Sequence, residues 1–238
     1  MTAAERGGAD ARAAGERAAR PEVMEPCDAA AADAGDATEK LELIMGSDGL
    51  ARLADAHVAV LGLGGVGSNC VEALVRGGVE HLFLVDRDIV QASNINRQAI
   101  AFHSTLGQRK VDAMREMIAD INPRAAVECR HVLVLRENLG ELLDEMSAWA
   151  EADGGRLDYV IDAIDTVSAK LALAEIAQER GIRHLRVLYS AEEPVRVPTR
   201  EGAARSERSN LGTASFVPPI MGQMIAGAVL RELAGLEM

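Results

Sequence analysis

Aromatic side chains make up 3% of the 238 residues, with one Trp, two Tyr and three Phe, so platforms for stacking nucleic-acid bases are scarce. Cysteine is equally sparse. Cys27, Cys70 and Cys129 stand far apart with no C-x-x-C pair, which excludes a four-thiolate structural zinc. Cys70 and Cys129 are expected to be packing residues rather than nucleophiles, which argues against sulfur transfer and thioester chemistry. No stretch reaches the roughly 20 apolar residues of a membrane span. The first residues lack the cationic start and apolar core of a signal peptide, so a cytoplasmic protein is expected. Excess positive charge is missing too: the formal net charge is −12. Affinity for nucleic acid rests largely on neutralised phosphates, so any such contact must use a local basic patch. Arg183, Arg186, Arg196, Arg200, Arg205 and Arg208 form one candidate stretch, but Glu192, Glu193, Glu201 and Glu207 interleave with it, as in a solvated mixed loop.

Residues 1–38 are rich in Ala, Gly, Asp, Glu and Arg without apolar periodicity, and a disordered leader is expected there. The remaining 39–238 are long enough for one sizeable α/β domain.

His57-Val58-Ala59-Val60-Leu61 is a short apolar run ending at a glycine, the pattern of a buried parallel strand. The turn that follows, Gly62-Leu63-Gly64-Gly65-Val66-Gly67, has the spacing of a nucleotide-binding loop. Gly62 permits the sharp exit from the strand, Gly64 with Gly65 lets backbone approach a phosphate, and Gly67 lets the next helix pack closely. That helix, from Ser68 to Val75, presents its N-terminal amides and dipole to the phosphates. Gly77-Gly78 ends it. His81 to Asp86 is the second strand, and Asp86, 19 residues after Gly67, can accept hydrogen bonds from two ribose hydroxyls. This unit alone does not separate NAD from ATP, and Arg87 beside the acid leaves an NADP reading open.

The polar loop that follows carries Asp88, Asn94, Asn96, Arg97 and Gln98, at the sheet edge where ligands of α/β folds bind. Arg97 makes forked hydrogen bonds suited to phosphate, although taken alone it is an ordinary loop charge. A helix to Ile121 has Lys110 in its first turn, where a cation opposes the helix dipole and needs another partner, such as a phosphate. Leu157 to Asp165 is a further strand ending in acids. Asp165 beside a polyphosphate suits Mg²⁺, a hard ion that prefers oxygen ligands, whereas Asp162 suits loop or cap duty. A helix from Thr166 to Arg180 stops at Gly181. Ser215 to Leu236 predicts a turn and a helix with small residues at Gly222, Ala226, Gly227 and Ala228, for core packing or a dimer contact. The five histidines predict no ligand-like cluster; His103 lies nearest the site in sequence.

Together these positions resemble the adenylating superfamily that includes ThiF, MoeB, HesA and the ubiquitin-activating enzymes. Within it they are most similar to the tRNA threonylcarbamoyladenosine dehydratase branch. The phrases that carry the resemblance are Leu43-Ile44-Met45-Gly46 with Gly49-Leu50-Ala51-Arg52-Leu53, Asn94-Ile95-Asn96-Arg97-Gln98, and Ile121-Asn122-Pro123. They continue with Val160 to Thr166, Val187 to Pro194 and Ser215 to Pro219. The resemblance implies a doubly wound, Rossmann-like, mostly parallel sheet. It also implies ATP and Mg²⁺ as cofactors, with ribose on Asp86, polyphosphate on Arg97 and Lys110, Asn94 against the phosphates and Mg²⁺ on Asp165. It further implies adenylation of a carboxylate, that of threonylcarbamoyladenosine in tRNA, followed by ring closure and loss of AMP, in a homodimer.

Two departures stand out. Lys40 occupies the position of an arginine thought to reach the partner's ATP. After Gly181 the chain passes from Glu179-Arg180-Gly181-Ile182 straight to Arg183-His184-Leu185-Arg186-Val187, so 181–238 is a shortened substrate and dimer half. Three alternatives stay open: a carrier-protein adenylyltransferase, an NADP oxidoreductase, and a catalytically impaired nucleotide-binding remnant.

Overall fold

The computed structural model describes residues 37–193 and 213–236. The leader, apart from 37 and 38, lies outside the described residues, as do Cys27, Pro194 and the arginines from Arg196 to Arg208.

Among the described residues, four parallel strands form one sheet: β1 (His57–Leu61), β2 (His81–Val85), β3 (Ala126–Arg130) and β4 (Leu157–Asp162), in the order β3-β2-β1-β4. The sheet is wound outward from β1 in both directions, which is the expected Rossmann-like order. β1 is flanked on both sides, with Leu61 level with Val85 of β2 and with Asp162 of β4. Its five residues are all buried. That is why its sequence is a continuous apolar run rather than an alternating one.

The helices are α1 (Glu39–Asp55), α2 (Gly67–Arg76), α3 (Lys110–Ile121), α4 (Arg136–Ala152), α5 (Val167–Glu179) and α6 (Val217–Leu233). Side chains alternate across the pleat and feed two cores. Val58, Val60, Leu82 and Leu84 pack with α2, α3 and α6. Ala59, Leu61, Phe83 and Val85 pack on the opposite face with Leu139, Leu142, Leu143 and Met146 of α4 and Ala172 of α5. The run from Leu157 leaves the sheet at Asp162, so Asp165 lies in the loop beyond the strand end. Gly46, with φ of 69°, breaks α1 into two pieces. Lys40 projects from the first piece, 83% exposed, with Glu39 at 3.5 Å as its ion-pair partner.

Pro218 and Pro219 fit the first turn of α6, where no amide partner is lost. This helix lies across α2 at its small residues. A Cβ on Gly222 would stand 2.4 Å from the Val66 carbonyl oxygen and 2.9 Å from the Cys70 nitrogen. Ala226 is fully buried. The small-residue stripe therefore serves the core at these two positions, while Gly227 faces open space. Cys70 is enclosed in the same contact, and burial pushes its thiol up to about 12. Cys129 is only partly buried on β3, with its thiol raised to about 11, first by burial.

The structure corrects one expectation. His57 and His81 do form a ligand-like group, with Asp153, at the amino edge of the sheet. They are 24 residues apart in sequence, but the parallel register makes them neighbours.

Gly222→Val is expected to destabilise the fold by roughly 1–3 kcal/mol through overpacking. Gly227→Ala should be neutral or slightly stabilising, because helical glycine is about 0.5–1 kcal/mol worse than alanine. Urea denaturation of both variants checks the contrast.

Candidate functional site

The site sits where β1, β2 and β4 end together. Gly62 leaves β1 with φ of 93°, which a side chain rarely adopts. Its N–H donates to the Val85 carbonyl at 2.8 Å, and the Ala163 N–H donates to Leu61 at 2.9 Å. A Cβ on Gly67 would lie 1.8 Å from the Gly62 carbonyl oxygen and 3.1 Å from Cβ of Ala163. So α2 begins in direct contact with the turn, and the loop carrying Asp165 is held against both. Gly64 has nothing within 4 Å of an added Cβ. Among the described residues, no acceptor faces the N–H groups of Gly64, Gly65 and Val66. Open backbone donors at a helix start form an anion cradle, and a polyphosphate fits it.

Ser68 and Asn69, not singled out from the sequence as site residues, attach the polar loop to this turn. Ser68 Oγ donates to the Gly64 carbonyl at 2.6 Å and accepts from Ala99 N–H at 3.0 Å. Asn69 Nδ2 donates to the carbonyls of Gly65 at 2.7 Å and Arg97 at 2.9 Å. The Arg97 stem lies on Gly65, whose absent Cβ would stand 3.2 Å from Cγ and Cδ of Arg97 and 2.8 Å from Cβ of Pro218. The guanidinium reaches the Ser93 carbonyl at 3.0 Å and Asn96 Oδ1 at 2.8 Å. The available signal was positional: a hydroxyl and an amide in the first turn after the glycines satisfy local backbone groups.

Asn94 is buried, and its Oδ1 accepts from Gln91 N–H at 3.0 Å, which shapes the loop. Gln98 is buried beside it, with Oε1 lacking a donor among the described residues. Asp162 holds the loop end: its Oδ1 accepts from Ile164 N–H at 3.0 Å and pairs with Lys170 at 2.9 Å. Asp165, next along, is exposed and accepts from Thr166 Oγ1 at 3.4 Å.

Asp86 is 9% exposed. Its Oδ2 accepts from Leu63 N–H at 2.6 Å and its Oδ1 from Asp88 N–H at 2.7 Å. Each oxygen keeps a second lone pair for a ribose hydroxyl. Lys110 is 5% exposed, and its ammonium lies 3.0 Å from Asp88 Oδ2 and 4.0 Å from Asp86 Oδ2. The partner that offsets the helix dipole is a carboxylate pair. The Val90–Gln108 and Asp88–Lys110 backbone bonds, 2.8 and 3.0 Å, bring them together. Arg87 turns to Asp88 at 3.6 Å. Burial, the largest influence, raises the Asp86 carboxyl above its ordinary value, while Lys110 and the two N–H donors pull it back.

A glycine turn, an acid and a polar loop stapled over a helix start define an α/β nucleotide-binding protein. The chain belongs to the ThiF family, which it matches over residues 37–193. It is similar to the tRNA threonylcarbamoyladenosine dehydratase of Bacillus subtilis, at 44% identity over 59% of this chain and 52% of that protein. It is also similar to the Escherichia coli dehydratase TcdA solved in complex with ATP, at 36% identity over 60% of this chain and 55% of that one, with a TM-score of 0.52. Another TcdA structure from that organism aligns at 25% identity over 84% of this chain and 94% of that one, with a TM-score of 0.65. The chain spans about half the length of the curated relatives it matches.

A raised carboxyl value means that ionised Asp86 opposes folding. Its favourable contribution holds below the unfolded value and is lost as pH rises through the folded one. Lys110→Met should therefore destabilise the protein at pH 7, by an amount near the lower end of the ~3–5 kcal/mol for breaking a buried pair, since Asp88 keeps water contact. The loss should shrink at a lower pH as Asp86 takes up a proton. Denaturant midpoints at the two pH values test the sign.

Proposed function

We propose that this chain binds ATP with Mg²⁺ at the carboxyl edge of its sheet and joins AMP to a carboxylate. The observation that supports the proposal is the Asn69 bridge, which ties the Arg97 backbone to Gly65 beside the open amides of the glycine turn. A cation above a phosphate cradle is what attack at an α-phosphate needs. In this reading Asp86 holds the ribose, and Gly62, Gly64, Gly65 and Gly67 shape the cradle. Asp88 and Lys110 form a fixed charge pair behind it, and Asn94 and Gln98 hold the loop.

Mg²⁺ fits Asp165 as an exposed carboxylate at this edge, and when bound it would neutralise polyphosphate charge. A substrate carboxylate oxygen attacks the α-phosphorus and the bond to the bridging pyrophosphate oxygen breaks. Arg97 stabilises the charge that develops there more than the ground state. The mixed anhydride makes the acyl carbon a good electrophile. A nucleophilic atom of the same substrate then closes on it and AMP leaves. No protein nucleophile is required, which agrees with Cys70 being enclosed in the core.

We take the acceptor to be the threonyl carboxylate of threonylcarbamoyladenosine in tRNA, on the similarity to the dehydratases named above. The same proposal includes a homodimer. Phe216 at the N-cap of α6, with Ile220 and Met224 on the helix, follow at four-residue spacing, all more than half exposed, and a second copy would cover such a stripe. A nucleotide-binding protein without turnover is the second reading. It is favoured by 182–191, which has no regular structure and leaves Leu185, Val187 and Tyr189 more than half exposed.

Arg97→Ala and Asp165→Ala are each expected to abolish ATP–pyrophosphate exchange while leaving the fold intact by circular dichroism. Retained exchange in both variants would refute the assignment. AMP release should require tRNA carrying threonylcarbamoyladenosine. ATP binding without AMP under every condition would favour the second reading.

A further inference from the structure

The amino edge of the sheet, a full strand length from the glycine turn, carries a group with no part in nucleotide chemistry. His57 opens β1, His81 opens β2 in register with it, and Asp153 caps the end of α4. Asp153 Oδ2 lies 3.1 Å from His57 Nε2 and 2.7 Å from His81 Nδ1. The side chains of His57, His81 and Asp153 are 4%, 24% and 50% exposed.

The hydrogen bonding decides what this group does. His57 Nδ1 lies 3.0 Å from the Asp55 carbonyl oxygen. A carbonyl only accepts, so Nδ1 carries the hydrogen. In a neutral ring Nε2 is then a lone pair facing a carboxylate at 3.1 Å, acceptor against acceptor. A cation between them removes the conflict. His81 Nδ1 is buried and has no aligned hydrogen-bond partner, because Asp153 lies close but off the donor direction. The three donor atoms all fall within 4.8 Å of one another. A ring nitrogen facing inward, with the other nitrogen donating to a backbone carbonyl, is the usual setting of a metal-bound histidine.

The surroundings hold His57 in place. A Cβ on Gly155 would stand 2.5 Å from its ring, Trp149 meets it edge-on at 5.1 Å, and the His81 ring stacks on it at 4.4 Å. Asp158 is not a fourth candidate, since its oxygens take the His57 N–H and the Arg156 side chain. Tetrahedral spacing asks the half-exposed Asp153 to move outward by roughly 0.6 Å, and the His81 ring, stacked on His57 within 20°, to turn so that both nitrogens face one point.

We propose that His57 Nε2, His81 Nδ1 and the Asp153 carboxylate form a transition-metal site of the Zn²⁺ class, with three protein ligands and one position open to water. The site ties β1, β2 and the end of α4 together. Two imidazoles and one carboxylate suit zinc, cobalt or nickel, whereas Mg²⁺ prefers an all-oxygen set.

Trp149 is the chain's one tryptophan and lies against His57, so it provides a built-in readout. The full chain, stripped with chelator, is titrated with Co²⁺ and then Zn²⁺ while visible absorption and tryptophan fluorescence are followed. Expected are one equivalent of Co²⁺ with a tetrahedral-type visible band, quenching of Trp149, and reversal of both by Zn²⁺ but not by millimolar Mg²⁺. His81→Ala and Asp153→Asn, at positions less enclosed than His57, should weaken binding by about 100-fold or more, since even an outer partner of a metal ligand is worth 10–100-fold. Asp165→Ala should leave it unchanged, which separates this site from the nucleotide site. Failure of the unaltered chain to take up one equivalent, or uptake that survives both His81→Ala and Asp153→Asn, would overturn the proposal.

Discussion

The contact between the start of α2 and the Gly62 carbonyl is the constraint on which the rest of this molecule depends. A Cβ on Gly67 would lie 1.8 Å from that oxygen, closer than any packed atoms can come. The helix can therefore begin immediately at the strand end only if residue 67 has no side chain. That approach aims the helix start at the sheet edge and leaves the amides of the turn open to a ligand. It also sets the plane on which the polar loop, the Asp165 loop and the start of α6 converge.

What assembles on that plane is held by small, short-range bonds rather than by a large apolar contact. Ser68 and Asn69 each bridge two backbone segments, and each bridge ends on the turn. Arg97 is positioned through its own carbonyl and stem, so its guanidinium is left to meet partners at the surface. Behind it, Lys110 and Asp86 are buried charges, and Asp88 pairs with Lys110 from the water side. Burying such charge costs stability unless it is paired. The pairing explains how a lysine can sit in the first turn of α3 against the helix dipole. It also makes Asp86 a member of the fold as well as a candidate ligand for ribose.

The two edges of the sheet differ in chemistry because the strands are parallel. All carboxyl ends lie together and collect the glycine turn, the acids and the polar loop. All amino ends lie together too, so two histidines that each open a strand become neighbours. Residues 182–191 lie mostly exposed and are joined to α6 by the Arg186–Glu232 pair at 3.3 Å.

The nucleotide half was legible because its determinants are local. Strand, turn, helix and acid follow in order within 30 residues, and each is set by its own periodicity, φ requirement or size limit. The polar loop was legible as a phrase, and the Rossmann-like order followed from the resemblance. What the sequence could not show are relations between distant residues: the carboxylate partners of Lys110, the Asn69 bridge, the packing of Gly222 on α2, and the meeting of His57, His81 and Asp153. Those depend on strand register and helix crossing, which emerge only when the two cores pack. The sequence by itself determined an α/β fold with a nucleotide-binding type of glycine turn and most of the residues that gather at the carboxyl edge of its sheet. The tertiary structure alone decided which charges pair and which histidines meet, because parallel strands bring together ends that the chain keeps far apart.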